Sequence, residues 1–77
     1  MTQFKKVHTR KQIEADPRVE LVDTEYGDGF GSNESLEYWI YLKEGFINTE
    51  SNTTSIHTGT IKQACFLLNN DYIQATN

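Results

Sequence analysis

The chain of 77 residues has one cysteine, no long apolar run and hardly any positive charge beyond its first eighteen positions. Cys65 alone can neither close an intrachain disulfide nor assemble a thiolate metal cluster, which favours a reducing compartment. The N-terminus Met1-Thr2-Gln3-Phe4-Lys5-Lys6 lacks the apolar stretch of a secretory signal, and no segment is long enough to span a bilayer. A soluble protein of the cytoplasm is the expectation. Asn33-Glu34-Ser35 and Asn52-Thr53-Thr54 then read as chance sequons in polar loops.

Positive charge is confined as well as scarce. Five of the seven basic residues, Lys5, Lys6, Arg10, Lys11 and Arg18, precede position 19. From Val19 to Glu50, eight acids (Glu20, Asp23, Glu25, Asp28, Glu34, Glu37, Glu44 and Glu50) face Lys43 alone, a net of −7. Such a segment argues against nonspecific DNA binding and for a basic partner, with a merely solubilising surface as the plainer reading.

Hydrophobic residues make up 36% and aromatics 12% of the chain, enough for a small core. A chain of this size forms one domain, residues 1–77, and buries roughly 60% of the surface its unfolded form exposes. A deep substrate pocket would compete with that core for the same few side chains.

Local signals place the elements. Thr9-Arg10-Lys11-Gln12 has the form of a capping box, so a short helix starts near Arg10 and stops before Pro17. Val19 to Glu25 reads as a strand, followed by the glycine-rich loop Gly27 to Ser35. Tyr38-Trp39-Ile40-Tyr41-Leu42-Lys43-Glu44-Gly45-Phe46 concentrates aromatics. At period two, Leu36, Tyr38, Ile40 and Leu42 share one face and Glu37, Trp39, Tyr41 and Lys43 the other. A turn at Lys43-Glu44-Gly45, with glycine at positive φ, leads to a return at Phe46-Ile47 and a flexible polar stretch from Asn48 to Thr54. Ser55-Ile56-His57 reads as a third strand and Thr58 as the next N-cap. Ile61, Ala64, Cys65, Leu68 and Tyr72 then form the stripe of an amphipathic helix, beyond which Gln74–Asn77 should fray. The expected fold is α+β: a small three-stranded antiparallel sheet, a short N-terminal helix, and a C-terminal helix packed on one sheet face.

Signatures of catalysis and of bound cofactors fall short in turn. Gly27-Asp28-Gly29-Phe30-Gly31 lacks the following helix and the Lys-Ser/Thr pair of a phosphate loop. Asp23, Glu25 and Glu34 echo positions one, three and twelve of a calcium loop, but position six is Asp28 instead of glycine. Cys65 falls in an apolar stripe and His57 ahead of a helix cap, so both read as structural instead of as nucleophile and base. His8 and His57 are too few for structural zinc, and no serine occupies a nucleophile elbow. No enzyme activity, cofactor or metal is expected.

Trp39 and Tyr41 remain. Aromatics on a sheet stack nucleobases when basic groups surround them, whereas Glu37 and Glu44 lie near these two. Aromatic anchors with an acidic rim suit a protein surface rich in arginine. The sequence leaves open whether the N-terminal helix covers them.

The segments Thr9 to Val19, Tyr38 to Phe46 and Ser55-Ile56-His57 before a helix together resemble small proteins of phages and mobile elements, some of which are anti-CRISPR proteins. The resemblance implies a setting and carries no catalytic or binding residue with it. The expectation is a non-enzymatic inhibitor that occludes the basic surface of a nucleic-acid-handling protein, such as a CRISPR effector, without touching membrane or nucleic acid itself. Trp39 and Tyr41 would anchor, and Glu20, Asp23, Glu25, Asp28, Glu34, Glu37 and Glu44 would steer. Two alternatives stay open: a nucleic-acid or transcription accessory domain using Lys5, Lys6, Arg10 and Lys11, and a self-associating structural protein.

Overall fold

The structure is a computed structural model that describes residues 4–26 and 36–76. Asp28, Glu34, the glycine-rich loop and most of the calcium-loop echo lie outside the described residues. The chain order is α1 (Arg10–Glu14), β1 (Val19–Tyr26), β2 (Leu36–Leu42), β3 (Phe46–Asn48), β4 (Ser55–Thr58), α2 (Ile61–Asn69) and β5 (Ile73–Ala75). The architecture is α+β, with a three-stranded antiparallel sheet in the order β1-β2-β4 and a separate ribbon of β3 and β5.

The capping box forms as the sequence expects. Thr9 Oγ1 accepts from the Gln12 backbone N–H, and Gln12 Oε1 accepts from the N–H groups of Thr9 and His8. This satisfies donors that a five-residue helix would otherwise leave unpaired. Ile13, with no exposed surface, is the residue through which α1 docks. It joins a core of Val7, Val19, Val22, Ile40, Leu42, Ile56, Ala64, Cys65, Leu67, Leu68 and Ile73.

Register explains which side chains of the sheet enter that core. Val22, Ile40 and Ile56 are cross-strand partners and form one buried row. On β1, simple alternation would put Val19 and Leu21 on the same face. A bulge at Glu20 sets two steps of β1 against one of β2, so Val19 pairs with Leu42 and Leu21 with Tyr41. Val19 and Val22 are therefore both buried, and Leu21 turns outward, 56% exposed.

Arg18 corrects the reading of the basic N-terminus, because it is internal, 2% exposed. Its Nε and Nη2 donate to the two carboxylate oxygens of Asp16 at 2.9 and 2.8 Å, and Nη1 donates to the Leu68 carbonyl at 3.0 Å. Phe4 covers the guanidinium, with 4.2 Å between Cζ and the ring centroid. Burial pushes the Asp16 carboxyl up, but the Arg18 hydrogen bonds and charge outweigh it and hold the group below its ordinary range. The pair ties the start of β1 to the last turn of α2, whose carbonyls need donors. Asn69 makes a second tie: its side chain accepts from the Val7 N–H and donates to the Val7 carbonyl, at 2.9 and 2.8 Å.

Three local expectations are overturned. The N-cap of α2 is Thr60, whose side chain accepts from the Gln63 N–H, while Thr58 belongs to β4 and donates to the Thr60 carbonyl. Helix α2 stops at Asn69, so Tyr72 lies beyond it. Gln74 does not fray: Ile73 to Ala75 pair with Asn48 to Phe46, and the Thr76 N–H reaches the Gly45 carbonyl at 2.9 Å. Gly45 takes φ +98° in the preceding turn, as that turn requires. The polar stretch after Asn48 is likewise closed, around a buried Asn48 that donates to the Ser55 carbonyl and accepts from the Glu50 N–H.

Candidate functional site on the outer sheet face

Since Val22, Ile40 and Ile56 point inward, their neighbours along each strand point outward. The outer face is therefore built in rows. Leu21, Tyr41 and Ser55 make one, Asp23, Trp39 and His57 the next, and Glu25 with Glu37 the last. No lysine or arginine occupies any of these eight positions.

Helix α1 does not cover this face. It packs on β1 through Ile13, and Leu21 and Tyr41 remain 56% and 40% exposed. Trp39 is half-buried, and the group lying on it is a histidine. The His57 ring lies parallel to the indole, with centroids 3.7 Å apart and 9° between planes. His57 Nε2 and Glu37 Oε1 are 2.5 Å apart, across the strand pair. The Tyr41 ring is nearly parallel to the indole as well, with centroids 6.4 Å apart and 14° between planes. A shallow recess of about 200 Å³ opens beside Trp39 and His57, bordered by Glu50, Ser51 and Thr53.

Five of the nine residues expected to bind a partner thus share one face: Asp23, Glu25, Glu37, Trp39 and Tyr41. Glu20 is exposed at the bulge and Glu44 in the turn after β2, outside these rows. The sequence reading missed Leu21 and His57 as members of the site. For His57 the signal was present: Ile56 facing inward sends its neighbour outward, and pairing β4 with β2 brings it to Trp39.

The arrangement offers adhesion and negative charge. Cys65 is buried, and burial pushes its thiol pKa up, away from the reactive thiolate. Among the described residues no group of three or more His, Cys, Asp or Glu side chains is placed to hold a metal, and no helix is long and apolar enough to cross a membrane. A larger cleft of about 920 Å³ lies among Phe4, Arg18, Phe46, Leu68 and Ile73. The polar groups of Arg18 and Asn69 on its wall are engaged by Asp16, Leu68 and Val7. No protein-family model, curated protein or solved structure matches the chain.

Proposed function

We propose that the chain is a non-enzymatic cytoplasmic binding protein whose outer sheet face docks on a basic surface of a partner protein that handles nucleic acid. The observation that carries this reading is the strip of exposed Leu21 and Tyr41 beside half-buried Trp39, which helix α1 leaves open, bordered by Asp23, Glu25 and Glu37 with no lysine or arginine among them. Apolar and aromatic area on a rigid sheet supplies anchoring, and carboxylates at the border supply steering and orientation. A phage or mobile-element inhibitor is the form of this role that the sequence resemblance suggests, and an anti-CRISPR protein is its concrete version.

The alternatives have less support. Of the four basic residues that a nucleic-acid domain would use, Arg10 pairs with Glu14 at 3.0 Å and Lys6 donates to the Asn69 carbonyl, which leaves exposed Lys5 and Lys11, while the nearby Arg18 is buried. A phosphate-binding patch would need those groups free. A two-fold dimer through the outer face would bring the carboxylates of two copies together, an unfavourable juxtaposition.

The test is binding to a purified CRISPR effector complex, and to other nucleic-acid-handling proteins of the host, followed by surface plasmon resonance at several salt concentrations. Binding lost in both Trp39→Ala and the double variant Asp23→Lys/Glu25→Lys supports the reading. Undiminished binding in both, or salt-dependent binding to DNA or RNA alone, overturns it.

A further inference from the structure

The His57–Trp39 stack shows what kind of group this face accepts. A planar nitrogen-bearing ring lies flat on an indole, and a nitrogen in its plane is bonded to a carboxylate. We infer that this position is a receptor for an arginine side chain of the partner, which displaces His57 from Trp39 and takes over its bond to Glu37. The inference rests on the outer face being the docking surface.

A guanidinium meets each requirement that the imidazole meets, and meets it more strongly. It is planar, so it stacks on the indole. Its N–H donors lie in the plane, so they reach a carboxylate while the face stays stacked. It carries its charge at every physiological pH, which an imidazole does not, so both the carboxylate and the electron-rich indole face attract it more. A lysine ammonium shares the charge but cannot lie flat.

The surroundings fit a second cationic contact. Asp23 stands opposite Trp39 on β1 and is exposed, so the indole has carboxylates on two sides, Asp23 across the ladder and Glu37 along its own strand. His57 is a displaceable occupant. Its side chain is 44% exposed, it sits on a four-residue edge strand, and among the described residues its side chain hydrogen-bonds Glu37 alone. Release requires rotation about its side-chain bonds and leaves the sheet ladder intact. A nucleobase is also planar, but its phosphates would meet Asp23, Glu25 and Glu37.

Trp39 is the only tryptophan, so its fluorescence reports the position directly. The experiment titrates the full chain with a hexa-arginine peptide, a hexa-lysine peptide and a single-stranded thymidine oligonucleotide. The expected result is tighter binding of hexa-arginine than of hexa-lysine by about three- to tenfold, accompanied by a change in Trp39 emission. His57→Ala should strengthen hexa-arginine binding further, by removing the competitor, and Glu37→Gln should weaken it. His57→Gln is a milder replacement should the alanine variant fold poorly, and it is expected to act in the same direction.

Equal affinity for the two peptides, or hexa-arginine binding indifferent to both His57 and Glu37 replacements, overturns the arginine receptor. If such binding still weakens in Asp23→Lys/Glu25→Lys, the docking reading survives that result. If neither peptide binds, or the double variant changes nothing, the docking reading falls with it. Preference for the oligonucleotide overturns both.

Discussion

Arg18 and Asp16 form a buried, two-pronged ion pair two residues apart, with each side chain 2% exposed. Pro17 between them ends the run that began with α1, and the pair then anchors β1 to the end of α2 through Leu68. A charged residue in this position is held by its hydrogen bonds, and removing one partner leaves the other charge buried and alone.

Asp16→Asn should therefore destabilise the fold by about 3–5 kcal/mol at neutral pH, a large part of the stability available to so small a chain. Urea denaturation followed by circular dichroism checks this.

The same pair predicts a pH dependence. Its hydrogen bonds and ion pair with Arg18 hold the folded Asp16 pKa below the ordinary carboxylate range. Its stabilisation is then fully present above the unfolded value and is lost as pH falls through the folded one. The stability difference between the native chain and Asp16→Asn should thus be constant near neutrality and shrink in strongly acidic solution. A difference that stays level from pH 7 down to pH 2 would contradict the assignment.

Leu21 and Val22 are adjacent aliphatic residues with opposite roles. Leu21→Lys should change stability by no more than about 0.5 kcal/mol, as expected of an exposed position. Val22→Ala should cost about 1.5–3 kcal/mol, because that side chain is buried in the Ile40 and Ile56 row. Chemical denaturation of the two variants side by side decides the matter, and a reversal of the order would mean that the bulge at Glu20 is misplaced.

How far the sequence disclosed this structure depends on the range of each interaction. The capping box at Thr9 and Gln12, the alternating run of β2 and the stripe of α2 are local patterns, and each was legible. Strand β5 was not, because Ile73 to Ala75 carry one buried side chain and acquire their structure from β3, 25 to 29 positions earlier. Arg18 was hidden for a different reason: a lone arginine belongs on the surface by default, and only the joint placement of Asp16, Leu68 and Phe4 reverses that. In the site, Trp39 and Tyr41 were legible from period two alone. His57 required knowing which strand lies beside β2, and Leu21 required the bulge.

Truncation after Tyr72 should unfold more than a tail. It removes Ile73, 3% exposed, and the whole of β5, and so leaves β3 unpaired. A loss of at least about 1.5–3 kcal/mol is expected from the side chain alone. Amide exchange in the intact chain gives an independent check: the Asn48 to Phe46 ladder with β5 should be protected, and free exchange at Gln74 would show that the ribbon does not form.

The double reversal Asp23→Lys/Glu25→Lys should slow association with a basic partner and weaken its salt dependence, while leaving the fold intact, since both side chains are exposed. Stopped-flow association at low and high salt reads both effects.

Backbone amide and indole shift mapping by NMR, with hexa-arginine titrated into the labelled chain, tests the central claim most directly. The expected perturbations are concentrated at Leu21, Asp23, Glu37, Trp39, Tyr41 and His57. Perturbations gathered instead at Lys5, Lys6, Arg10 and Lys11, or spread evenly along the acidic residues without involving Trp39, would contradict it.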